Sequence, residues 1–298
     1  MRRGYSFLII LAGVLWGFDG LLRRNLAGIP STQVVLYEHI FRVVILLPFL
    51  PKFIKEYKQL KKKDWLTITA IAVFSGALGT TFYTAALSQV NSISYSVVVL
   101  LQQVRPIFAI ALATLVLKEK INKKYITFAI LALVSAYFLS FPDFRPNFIG
   151  GSAELKASLL ALAAAAMWGS TVVLSKMLLS KLSYLAAVTL RFIIVIPVAY
   201  ILTLIMGHNY PLSSISAQQW QNLLYLALVT GVFGFIAYYK GLKHTEVKIA
   251  TFSEFAWPAS AAFIGFFWLG DRLTVIQIIA AMVLVSDILV MSLLPKDK

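Results

Sequence analysis

Cysteine is absent from the 298 residues, which excludes a disulfide framework, a thiolate metal site and a thiol nucleophile. Histidine is scarce. His39, His208 and His244 are the only 3, and no H-E-x2-H, H-x4-D or G-x-S-x-G pattern accompanies them. An intramembrane lipid-modifying enzyme would need a nucleophile and a base within reach of each other, and nothing in the spacing offers them. No phosphate-binding P-loop occurs either, so ATP-driven pumping by this chain alone is unsupported. Charge is also thin at 13% of residues, about half of what soluble domains carry. What fills the chain instead is apolar: 60% hydrophobic residues and a mean hydropathy of +0.83. A chain of this composition belongs in a bilayer.

A helix needs about 20 mostly apolar residues to cross the hydrocarbon core. Such segments are expected to start near Tyr5, Gln33, Asp64, Ile93, Asn122, Leu155, Ser183, Gln218, Glu246 and Leu273. The expected fold is therefore an all-α polytopic membrane protein of ten transmembrane helices. These leave roughly 100 residues for loops and tails, too few for a separate soluble domain. The first span follows "MRRGY" with no small-residue cleavage site behind it, and is read as a retained helix rather than a signal peptide.

The formal net charge of +15 is a matter of placement. With a cytoplasmic N-terminus, 19 of the 27 Lys and Arg fall on the inner side, among them the six lysines from Lys52 to Lys63. Arg23, Arg24, Arg145, Lys156 and Arg272 fall outside, and Arg42, Arg105 and Arg191 lie within spans. The positive-inside rule then puts both termini of a multi-pass inner-membrane protein in the cytoplasm. Anionic lipid headgroups account for the basic balance, and no nucleic acid is required.

An internal repeat runs through the chain. Trp16-Gly17 recurs as Trp168-Gly169, and R-x5-P occurs from Arg42 to Pro48 and from Arg191 to Pro197. "GALGTTFYTAAL" (76–87) matches "GVFGFIAYYKGL" (231–242) as G-x2-G-x3-Y-x3-L, and Pro106 and Glu119 match Pro258 and Asp271. All share one shift of about 150 residues. Residues 1–147 and 148–298 are thus two five-helix copies, and five is odd, so the second copy enters the membrane from the opposite side. Inverted repeats of this kind are a recurrent build of secondary transporters, with the substrate near the midplane where the copies meet.

These motifs, "LWGFDGLLRR", the R-x5-P second span, the G-x2-G-x3-Y-x3-L third span and the proline-containing fourth span ending "LVLKEKIN", with "FWLGDRLT" in the second half, resemble the EamA type of the drug/metabolite transporter superfamily. The resemblance covers nearly the whole chain. It implies a ten-helix carrier whose central cavity is lined by the first four helices of each half, with the fifth and tenth peripheral. It also implies export of small metabolites such as amino acids or drug-like compounds. Asp271 departs from the usual Glu, and "QQVR" before Pro106 is more polar than most members carry there.

"LQQVRP" (101–106) is the segment that an ordinary membrane helix would avoid. Pro106 and Pro258 have no amide hydrogen, so they kink their helices and free the carbonyls of Gln102 and Glu254, which lipid cannot satisfy. Gln102 and Arg105 share a helix face with Asn91, Ser94 and Val98, a stripe expected to face a cavity. Glu254 occupies the equivalent place on the ninth span. Ionisable residues at span centres default to function, so Gln102, Gln103, Arg105 and Glu254 are candidates for substrate binding or coupling. Arg105 would hold a carboxylate, and Glu254 an amino group or a coupling proton. The competing reading is a buried pair that only fixes packing.

In "YEHIFR", Glu38 and Arg42 are spaced i, i+4 for an intrahelical pair, while His39 points elsewhere and could carry a proton. Arg191 lacks the acid that Arg42 has, and its partner must lie elsewhere. Asp19 and Asp287 are expected near span ends. Trp16, Trp168, Tyr83 and Tyr238 sit within spans as two repeat pairs and are candidate cavity residues, with core packing the alternative. No cofactor and no metal site is expected. The expected partners are a small-molecule substrate, membrane lipids and a coupling proton, and the oligomeric state is left open. A channel or lipid scramblase of the same fold is the alternative function, set apart by flux that does not saturate.

Overall fold

The computed structural model describes residues 4–89, 91–105, 107–108, 111, 123–140, 152–245, 253–254 and 256–293. Pro106, Glu119 and Thr251 lie outside them. Every regular element among the described residues is helical. Six helices are long and apolar enough to cross a membrane: α1 (Tyr5–Arg24), α2 (Ser31–Lys58), α3 (Lys62–Leu87), α6 (Ala153–Leu179), α7 (Tyr184–Ile205) and α8 (Ala217–His244). Between and after them come α4 (Tyr95–Val104), α5 (Lys123–Ser140), α9 (Ala256–Trp268) and α10 (Val275–Leu293). Together they make a polytopic helical membrane protein.

The ends of these helices are written in short polar signals. Ser94, Ser152, Ser183 and Ser216 each accept a backbone N–H of the first turn, which satisfies one of the donors that a helix start leaves orphaned. Ser216 and Gln219 exchange two such bonds, 3.2 and 3.0 Å, as a reciprocal cap. Past the end of α9, Gly270 takes φ +68°, a conformation that side chains resist. The turn delivers Asp271, whose carboxylate accepts the Ser96 amide of α4 at 2.7 Å.

Packing obeys an exchange of halves. Helix α1 lies against α8 and α9, and its repeat mate α6 lies against α3 and α4. Likewise α2 contacts α8 as α7 contacts α3, while α2 and α7, α4 and α9, and α5 and α10 pair with one another. The large exposed side chains on α5, α9 and α10, such as Leu133, Phe267 and Met282, form apolar outer surface of the kind a bilayer solvates.

Both α3 and α8 loosen to π geometry at matching places, Ile71–Gly79 and Leu226–Phe233. A wider turn frees a carbonyl from the helix ladder. Ser75 C=O accepts the Trp168 indole N–H at 3.0 Å, and Thr230 C=O accepts that of Trp16 at 3.0 Å. The indoles fit because Gly79 and Gly234 stand beneath them. A Cβ there would meet Nε1 of Trp168 at 2.7 Å and of Trp16 at 2.8 Å. The glycines of the two Trp-Gly pairs complete the arrangement, Gly17 against Ser260 and Gly169 against the Arg105 carbonyl, each too close for a side chain. Each Trp-Gly motif thus clamps its own half onto the other.

Candidate functional site

The crossed contacts of the two halves leave a cavity of about 120 Å³ between them. Its walls come from α1, α2, α3 and Arg105 of the first half, and from α6, α7, α8 and α9 of the second. Among the described residues, none that line it belongs to α5 or α10.

Aromatic rings make one wall. Trp16 lies 5.1 Å from Tyr238, 5.5 Å from Phe235 and 6.5 Å from Trp257. Tyr83 lies 5.1 Å from Trp168 and 6.2 Å from Trp257, and the two tryptophans are 6.0 Å apart. The candidates Trp16, Trp168, Tyr83 and Tyr238 therefore meet in one cluster, which Trp257 joins.

Arg105 and Glu254 also come together. Their nearest N and O are 3.7 Å apart, the Arg105 guanidinium stacks 4.8 Å over the Trp257 ring, and Tyr238 donates to the other Glu254 oxygen at 2.8 Å. Arg105 and Tyr238 line the cavity, and Glu254 is joined to it through contacts with both. The carbonyl of Gln102, which has no amide partner at position 106, receives Arg105 Nε at 3.2 Å. Pro258 is buried in α9, whereas Pro106 lies outside the described residues.

Other expected residues bond within the protein. Gln102 does not face the cavity: it is fully buried, and its amide donates to Ala161 C=O of α6 at 2.7 Å. Gln103 bonds back to Val99 C=O of its own helix at 3.2 Å. Val98 sits in the core and Ser94 is a helix cap, so of the expected polar stripe only Arg105 reaches the cavity. The α6 backbone lies against α4 and takes the rest of that face.

His39 does not line the cavity either. It is buried, with Nδ1 donating to Val35 C=O at 2.8 Å and Nε2 accepting from Arg42 at 3.0 Å, an arrangement that uses the neutral ring completely. Its edge meets Phe192 of α7. Glu38 and Arg42 do pair, at 3.2 Å, but Glu38 is shared with Arg23 at 2.8 Å.

Sequence reasoning missed Asp19 and Arg23. Neither is interfacial: Asp19 binds Arg23 at 2.5 Å and accepts Thr230 Oγ1 of α8 at 2.9 Å, and Arg23 also donates to Thr84 of α3 at 2.7 Å. The i, i+4 spacing of Asp19 and Arg23 was the available signal. Arg24 too turns inward, to the Ile93 carbonyl. Asp287 lies well inside α10, buried, with no partner for its oxygens among the described residues.

The model of the EamA-like transporter family matches twice, at residues 3–141 and 155–293. The chain belongs to the EamA-like transporter family. This membership makes it a transporter-type membrane protein. The riboflavin transporter ImpX of Fusobacterium nucleatum is 33% identical over 289 residues, 96% of this chain and 97% of its own length. Uncharacterized transporters of Clostridium kluyveri and Bacillus subtilis are 25% and 23% identical over 92% and 99% of this chain, and 88% and 95% of their own lengths. A solved crystal structure with 14% identity superposes with a TM-score of 0.64 over 97% of this chain and 96% of its own, which is a likeness of fold.

Proposed function

We propose that this EamA-family chain is a secondary active carrier of a planar, acceptor-rich aromatic molecule of the flavin class. It works by alternating access as two inverted five-helix halves, 1–147 and 148–298, rock about the cavity. The observation that carries this reading is the convergence of Trp16, Trp168, Trp257, Tyr83, Tyr238 and Phe235 on one cavity between the halves. Ring walls suit a flat heterocycle, since offset and edge contacts add about 0.5–1.5 kcal/mol per pair beyond burial. Two guanidiniums of the lining, those of Arg42 and Arg191, also have an Nε without a hydrogen-bond partner among the described residues. Buried donors are nearly always satisfied, and a ligand rich in ring nitrogens and carbonyls would satisfy these. A relative named for riboflavin, matched end to end, supports the same ligand class.

Arg105 and Glu254 then act as the polar anchor beside the rings, and Glu254 is the candidate for a coupling proton. Export is the direction that the family resemblance favours. The test is flux of radiolabelled riboflavin into sealed proteoliposomes, with the protein in each orientation. Saturable uptake, suppressed by excess unlabelled flavin and indifferent to amino acids, is expected. Uptake that rises linearly without saturation would favour a channel, and saturable flux of amino acids with none of flavin would overturn the ligand class.

A further inference from the structure

Guanidiniums and carboxylates around the cavity do not balance. Asp19 and Glu38 are taken by Arg23 and Arg42, and Glu254 faces Arg105. Arg191 is left with no carboxylate among the described residues. It is 5% exposed and lines the cavity. Its hydrogen-bond and ring partners are neutral: Nη2 donates to Ser75 Oγ at 2.8 Å, Nη1 to Tyr239 OH at 3.2 Å, and the Phe235 ring lies 4.5 Å beneath the guanidinium. Nε has no partner among the described residues. Tyr239 OH lies 3.4 Å from Ser175 Oγ, so hydroxyls of α3, α6 and α8 gather around one buried cation.

The repeat makes the imbalance specific. Arg42 is the mate of Arg191 and carries Glu38 one turn earlier, whereas the position one turn before Arg191 is Ala187. Leaving a charge buried and uncompensated is strongly unfavourable unless something completes it, and a guanidinium presents a planar fork that fits an oxyanion. We propose that Arg191, with the Ser75 and Tyr239 hydroxyls, is an oxyanion subsite, so that the cargo carries a carboxylate or phosphate group on its aromatic ring system. This rests on the aromatic seat of the proposed function and narrows it from neutral flavins to anionic members of the class.

The test uses purified full-length protein in detergent. Quenching of flavin fluorescence measures affinity for riboflavin and for riboflavin 5′-phosphate in wild type, Arg191→Gln and Arg191→Lys. Thermal unfolding is followed with inorganic phosphate against chloride at equal ionic strength. Wild type is expected to prefer the phosphate ester at least tenfold, Arg191→Gln less than threefold, with Arg191→Lys between. Inorganic phosphate should raise the melting temperature of wild type and not that of Arg191→Gln, which without anion should melt no lower than wild type. Equal affinities in wild type, or a preference retained by Arg191→Gln, would overturn the inference. So would an Arg191→Gln protein that melts well below wild type without anion, because the guanidinium would then be structural. A phosphate shift without ester preference would refute attachment of the anion to the cargo. Should neither flavin bind, the flavin reading fails by itself, and the shift with inorganic phosphate decides the subsite alone.

Discussion

At the residue scale, the half-buried pair of Arg105 and Glu254 shows how geometry separates a binding role from a packing role. Tyr238 holds one Glu254 oxygen at 2.8 Å, while Arg105 stands 3.7 Å from the other, too far for a hydrogen bond. A pair of this looseness contributes about 1 kcal/mol or less, so each single neutral change should lower the melting temperature by only a few degrees. Transport should respond far more. Glu254→Gln keeps shape and the Tyr238 contact yet removes the charge, and Arg105→Lys loses the planar stack on Trp257, so each should fall roughly tenfold or more in transport, on the order of 1.4 kcal/mol. Melting temperature and vesicle uptake of both singles and of the double Gln variant are the measurement. A double variant that recovers full transport would assign the pair to packing. His39 sets the contrast, because both of its ring nitrogens are already satisfied within the protein.

The element scale is dominated by the two π segments and the tryptophans that dock on them. A widened turn releases a carbonyl from the helix ladder, and in each half it is such a carbonyl that accepts the indole N–H arriving from the other half. The docking also requires a glycine under each ring. Gly79→Ala and Gly234→Ala would each place a methyl group against an indole nitrogen, at 2.7 and 2.8 Å. Overpacking of this kind costs about 1–3 kcal/mol, and it moves a ring that lines the cavity. Both variants should melt lower than wild type and show a raised KM, whereas alanine at Gly28, which faces open space with φ +105°, should strain only its own turn and leave KM alone. Thermal unfolding and uptake kinetics on the three proteins would check it. Equal losses at all three sites would show that the clamps do not shape the cavity.

At the scale of the whole molecule, the lysines of α2 and α3 carry the orientation. Lys52, Lys55, Lys58, Lys61, Lys62 and Lys63 cluster where α2 ends and α3 begins. The positive-inside rule favours the cytoplasmic side for such a cluster, and the proposed topology puts it there. The chain has no native cysteine, so single cysteines label without background. Lys62→Cys should be shielded from an impermeant thiol reagent in intact cells, and Asn91→Cys, at the exposed approach to α4, should react. Reaction at position 62 in sealed cells would invert the proposed topology.

Much of this protein was determined by its sequence alone. Composition imposed the bilayer, and the repeated Trp-Gly, R-x5-P and G-x2-G-x3-Y motifs marked residues that do meet across the halves, among them Trp16, Trp168, Tyr83 and Tyr238. Repeats are legible because each copy keeps the same residues at the same spacing. Tertiary structure alone decided which face of each helix turned to the cavity. Val98 and Gln102 share a face with Arg105, yet Val98 packs into the core and Gln102 bonds α6, which leaves Arg105 to reach the cavity. Asp19 and Arg23 sit at the edge of an apolar run and still point inward, because Thr84, Thr230 and Glu38 arrive from three other helices. Helical periodicity tells which residues share a face, but the partner that covers the face comes from elsewhere in the chain, and only packing brings it there.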